Sequence, residues 1–350
     1  MEPITHLMTG ACLARAGFNR KAAYAAVAMT LAAEAPDLDT LWSIDGPVAA
    51  FQHHRGWTHT FLGIPVEAAI IVGSIWLFHR WRTRQATTSS KPPKAPIRWG
   101  LLYGFSLIAL LSHLLLDWTN NYGLRPFFPF NPRWYAGSFV FIFEPILFLI
   151  LLIALIAPSL FGLIGSEVGA RKPAFRGRGW AIAALLGMAA LWTIRFVEHD
   201  RAIQLAQTAD YKGAPVLRVT ADPYPINPFS WQTVVETPQF YQISTAKTWN
   251  STIPTSDRPD TIYKPPTTLA TLVAKRSWLG EVYLDWSQYP VVTETGTDPD
   301  GLTTVSFWDL RFFYNTPFFS GREKTPLSGT VYINADRRVV RMEMNGRIQD

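Results

Sequence analysis

Charge is scarce in this chain, and acids are scarcer still over one long stretch. Asp, Glu, Lys and Arg make up 17% of the 350 residues, against about 25% in an average soluble domain. No Asp or Glu occurs between Ala68 and Leu116, which argues against a water-soluble first half. Cysteine is nearly absent: Cys12 stands alone, so no intrachain disulfide can form. Histidine is missing after His199, which argues against a transition-metal site in the C-terminal part. The opening "MEPITHLMTG" lacks the basic start of a signal peptide. Insertion would rest on internal apolar segments. No internal repeat is present.

What is there divides at about residue 200. Residues 61–80, 99–117, 139–163 and 180–197 are apolar runs near the roughly 20 residues needed to span a bilayer. Residues 4–18 and 22–35 are shorter and Ala-rich and read as a helical hairpin, which gives about six helices. Beyond residue 200, "VLRVTA", "TVVE", "EVYLDW", "TTVSFWDLRFFY" and "TVYINADRRVVRMEM" alternate like strands between turn signals. The expected architecture is an α-helical multi-pass membrane domain, residues 1–199, followed by a soluble, mainly antiparallel β domain, residues 200–350.

The net charge of +6 is a topology signal more than a nucleic-acid one. Arg82, Arg84, Lys91, Lys94 and Arg98 fill one connector, and Arg171, Lys172, Arg176 and Arg178 fill another beside Glu167. Arg20 and Lys21 mark the first hairpin turn. By the positive-inside rule these face the cytoplasm, and both termini and the β domain face outward. No nucleic-acid partner is expected; membrane lipids are.

Six of the seven histidines fall within the first 113 residues. His6, Asp37 and Asp39 of "PDLD", His54 and His59 of "HHRGWTH", and His113 and Asp117 of "HLLLD" all map to outward helix ends. Four separate segments thus bring imidazoles and carboxylates to one membrane face. His113 and Asp117, at i and i+4, share one helical face and can hold one ion. Taken alone, each signal has a plain alternative: a polar pair at a helix end, an acidic turn, a solvated first-turn histidine. Arg55 suits either an anionic group or an ion pair with Asp37 or Asp39. Glu144 in "FIFEP" is either a late carboxylate for the site or a partner of Arg125 or Arg133. Glu34 and Thr119 are possible additions. His53 reads as a solvated neighbour and His79 as interfacial.

Together "THLMTG", "PDLD", "HRGWTH" and "LLSHLLLDWTNNYG" resemble the YdjM-type membrane-bound metal-dependent hydrolases over about residues 1–160. Thr60 stands where Ser is usual, and Thr40 where some relatives carry a further His. A more distant similarity is to the zinc-dependent phospholipase C and nuclease group, although no histidine lies between His113 and His199 to supply that group's later ligands. The resemblance implies the bacterial cytoplasmic (inner) membrane and one or two divalent ions, zinc by preference. The metal ligands would be His59, His113, Asp117 and Asp37, with His6 and His54 as further ligands. The other PDLD carboxylate, Asp39, would be the general base and Arg55 the anion contact. The expected activity is hydrolysis of a phosphoester or lipid-like substrate at the outer face. The rival is a non-enzymatic scaffold with a structural metal and a partner-binding β domain.

Overall fold

Glu2 caps the first helix by accepting a hydrogen bond from the Thr5 amide at 3.0 Å. From there the computed structural model runs through α1 (Pro3–Ala16), α2 (Ala25–Ala32), α3 (Pro47–His53), α4 (Gly63–Gln85), α5 (Trp99–Thr119), α6 (Pro145–Glu167) and α7 (Arg178–Thr208). The structure describes residues 1–85, 93–167, 175–255, 260–314 and 326–349. Lys91, Arg171 and Lys172 of the basic connectors lie outside the described residues. The chain divides into two units, Met1–Leu38 with Arg55–Phe196, and Asp39–His54 with Val197–Asp350.

In the first unit small residues let helices approach closely. Ala14, Ala28, Ala32, Ala68 and Ala109 are buried with Met29, Leu102, Phe105 and Leu110 in one core. Gly10 of α1 is the tightest point: a Cβ there would lie 2.4 Å from the Met29 carbonyl oxygen and 2.7 Å from Ala33 Cβ. Gly10→Val should therefore cost about 1–3 kcal/mol by overpacking, read as a lower melting temperature in detergent; an unchanged melt would contradict this packing.

About six helices are expected, and not all of the helices present are long enough to span. Among the described residues three helices, Trp99–Thr119, Pro145–Gly162 and Arg178–Thr208, are long and apolar enough to cross a membrane, or four if α4 is counted with the helical segment before it. The Ala-rich hairpin exists, but its helices have 14 and 8 residues. At 1.5 Å per residue neither covers a hydrocarbon core of about 30 Å.

The second unit holds two antiparallel sheets. One orders β1 (Arg218–Pro223), β2 (Ser230–Glu236), β3 (Phe240–Lys247) and β4 (Thr261–Tyr263). The other orders β5 (Pro290–Thr297), β6 (Thr303–Asp309), β7 (Gly329–Ile333), β8 (Val339–Met344) and β9 (Arg347–Gln349). The hairpin turn at Asn334-Ala335-Asp336 is present, closed by the Asn334 amide on the Arg338 carbonyl at 3.0 Å. Helices α8 (Leu269–Lys275) and α9 (Trp278–Trp286) lie between β4 and β5 in the chain. "EVYLDW", expected as a strand, belongs to α9. Ser277 Oγ accepts from the Gly280 amide, and Leu279, Tyr283 and Trp286 fall on one buried face. The 3.6 period and the cap outweigh the local alternation. "TTVSFWDLRFFY" likewise stops being a strand at Asp309, where a 3-10 turn begins.

The sheet unit also claims Asp39–His54, which the sequence reading grouped with the membrane domain. Phe51 of α3 packs on Trp286 with ring centroids 5.0 Å apart. Gln52 accepts from Trp278 Nε1 at 2.8 Å, and Gln349 accepts from the Val48 amide at 2.9 Å. The chain thus leaves the first unit after Leu38 and re-enters it at Arg55.

Candidate metal centre

Three short-range devices place the ligands. Asp37 lies in the 3-10 segment that follows α2, its amide bonded to the Glu34 carbonyl at 3.1 Å. His59 ends a 3-10 turn, Trp57–His59. Thr60 locks that turn by donating to the Trp57 carbonyl at 2.8 Å and accepting from the Gly63 amide at 2.9 Å at the start of α4. His113 and Asp117 project from one face of α5, both fully buried.

Four atoms converge. His59 Nε2 is 3.0 Å from His113 Nε2 and 3.3 Å from Asp117 Oδ2. His113 Nε2 is 3.4 Å from Asp117 Oδ2. Asp37 Oδ1 is 3.4 Å from His59 Nε2 and 3.7 Å from His113 Nε2. Tetrahedral zinc with bonds of about 2.0–2.1 Å sets its ligand atoms about 3.3 Å apart. The spacing fits.

The proton positions point the same way. His113 Nδ1 donates to the Ala33 carbonyl at 2.7 Å. A carbonyl only accepts, so Nδ1 carries the hydrogen and the neutral ring's Nε2 carries a lone pair. His59 Nδ1 sits 3.0 Å from Thr58 Oγ1. Asp117 Oδ2 is buried and takes part in no hydrogen bond among the described residues. The lone pairs of His113 Nε2 and Asp117 Oδ2, 3.4 Å apart, face the same point as His59 Nε2, where a cation would satisfy them.

The other carboxylate oxygen of Asp117 is anchored. Arg55, 4% exposed, donates from Nη2 to Asp117 Oδ1 at 2.8 Å. Its Nη1 donates to the Gly123 carbonyl at 2.7 Å and to Asn120 Oδ1 at 3.2 Å, and its guanidinium lies over the Tyr122 ring. The sequence offered Arg55 an ion pair with Asp37 or Asp39; the structure gives it one with Asp117. His6 stacks on His113 with ring centroids 3.8 Å apart, and its Nε2 is 3.4 Å from Asp117 Oδ1. It stands on the anchored side and shares a 3.0 Å hydrogen bond with the Met1 amine.

Burial pushes the Asp37 carboxyl up, but the His59 hydrogen bond and His113 outweigh it and hold Asp37 below the usual carboxylate range. Burial pushes Glu34 up to about 8, with Asp37 and Glu2 adding to it. Asp39 and His54 belong to the sheet unit, where His54 Nδ1 lies 3.0 Å from Asp39 Oδ1. Thr119 donates to the Leu116 carbonyl at 2.7 Å. Glu144 pairs with Arg195 at 2.5 Å, and both side chains are fully buried. Sequence reasoning missed Arg195, which looked like one more residue of an apolar run.

These features describe a membrane protein whose helical unit carries a buried His/Asp cluster able to hold a metal ion. The profile of the YdjM inner membrane protein family matches residues 1–202. The chain belongs to that family. It is 27% identical over 157 residues to the uncharacterized protein YfhP of Bacillus subtilis (strain 168), covering 43% of each chain. The chain therefore spans less than half the length of that relative. No solved structure matches.

Proposed function

We propose that this protein is a membrane-bound metal-dependent hydrolase acting on a phosphoester or lipid-like substrate at the outer face of the cytoplasmic membrane. The convergence of Asp37, His59, His113 and Asp117 at 3.0–3.7 Å carries the reading. The set favours one ion, and its nitrogen and oxygen donors suit zinc. When bound, such an ion supplies Lewis-acid polarisation of a carbonyl or phosphoryl oxygen. Structural zinc sites are typically rich in thiolates, and this set has none. Asp37, with 12% of its side chain exposed, is the ligand nearest solvent.

Arg55 fixes the orientation of Asp117 and so acts as a positioning residue. His6 is a reserve ligand for a second ion.

Metal analysis of purified protein should find about one equivalent. A panel of phospholipids and phosphodiesters should reveal turnover that chelation removes. The second reading, a scaffold with a structural ion, draws on the four protein donors, which can complete a tetrahedron by themselves. Bound metal without turnover on the whole panel would favour it. Both termini are proposed to face outward. A phosphatase fused after Trp118 should be active and one fused after Gln85 inactive; the reverse pattern would overturn this orientation.

A further inference from the structure

The loop after α5 presents apolar surface. Between Asn120 and Phe143 the only charged residues are Arg125 and Arg133. The loop is ordered by its own hydrogen bonds. Leu124 and Tyr135 exchange amide–carbonyl bonds at 2.9 Å across its neck, and the Asn131 amide bonds the Phe127 carbonyl at 3.0 Å. Yet Phe130 is 86% exposed, and Phe127 48%. Arg125 stacks on Trp134 at 4.6 Å, and Arg133 is exposed over Tyr135 at 5.6 Å.

This loop also touches the metal-ligand segment within the same unit. The Phe61 amide bonds the Pro126 carbonyl at 2.9 Å, the Phe61 and Phe127 rings meet at 5.4 Å, and Trp57 meets Phe128 at 5.2 Å. Trp57 and Phe61 are themselves half exposed. The patch lies in the connector between α5 and α6, two helices long and apolar enough to span. Geometry puts such a connector at the bilayer boundary, where aromatic rings settle at headgroup depth and arginines attract anionic lipid. Exposed rings in water would be costly; at that depth they are buried.

We infer that residues 124–135 form an interfacial lip. Its phenylalanines enter the boundary between headgroups and acyl chains, and Arg125 and Arg133 bind the phosphate of anionic phospholipids beside the turn that carries His59. The inference rests on the membrane location and not on hydrolysis, so the two can fail separately.

The test uses the full chain in nanodiscs of phosphatidylcholine alone or with phosphatidylglycerol. A Phe130→Cys variant, in a Cys12→Ala background because Cys12 is buried, carries an environment-sensitive fluorophore. The label should emit blue-shifted and be quenched by lipids spin-labelled near the headgroup. Phosphatidylglycerol should be enriched around the protein, with enrichment falling about fivefold for each of Arg125→Gln and Arg133→Gln, while an unchanged thermal melt serves as the check on folding. A label that emits as in water and escapes quenching would overturn insertion. Equal enrichment in wild type and both arginine variants would overturn headgroup binding.

Discussion

Asp117→Asn should remove the metal, and it should cost the fold less than Asp117→Ala does. In the native cluster Asp117 Oδ1 accepts from Arg55 at 2.8 Å, while Oδ2 faces His59 and His113 at 3.3 and 3.4 Å. An asparagine satisfies Arg55 only with its oxygen on that side. Its amide NH2 then points at the two Nε2 atoms and puts hydrogens where a cation would sit. Metal affinity should fall by at least about 100-fold, beyond the 10–100-fold typical of losing an outer partner, with turnover lost alongside. Asp117→Ala differs. It leaves the Arg55 guanidinium buried without its carboxylate, which costs about 3–5 kcal/mol. Metal analysis and a thermal melt together separate the two variants. Native metal content in Asp117→Asn would mean that the ion, if any, sits elsewhere.

Glu144→Gln should be among the most destabilising single changes in the helical unit, and it should do so without touching the metal centre. Glu144 enters α6 and Arg195 lies in α7, both fully buried at 2.5 Å. Removing one charge strands the other in an apolar surrounding, at about 3–5 kcal/mol. Replacing both, as Glu144→Met with Arg195→Met, should recover most of that loss, because the desolvation of both ions also disappears. The melt in detergent reads the stability. Metal content should match the wild type in both variants. A single variant as stable as the wild type would show the pair to be dispensable, and a double variant no better than the single would point to a role in packing shape instead of charge.

Much of the candidate site was legible because its signals are local. His113 and Asp117 lie one helical turn apart, so the spacing alone puts them on one face. The turn chemistry of "HRGWTHT" marked His59 as the end of a loop entering an apolar helix, and Thr60 closes that turn. The alternation in "TVYINADRRVVRMEM" fixed a hairpin. "EVYLDW" misled because six residues are too few to separate a period of 2 from one of 3.6, and the cap that decides it, Ser277, lies outside the quoted stretch. The Ala-rich hairpin misled on length: its residues favour helix, but Gly17 and the left-handed Tyr24 between the two helices cut them short.

By itself the sequence determined which segments are apolar enough to lie in a membrane, which residues can ligate a metal, and that the C-terminal part is built of antiparallel strands. These follow from composition and short periods, which act within a few residues. The partners were decided by tertiary structure. Arg55 finds Asp117 across 62 positions, His113 finds the Ala33 carbonyl across 80, and Glu144 finds Arg195 across 51. Asp37 joins His59, His113 and Asp117, and Asp39, two residues on, pairs with His54. Such choices depend on which buried charge each group must satisfy once the helices have packed, and no local pattern encodes that.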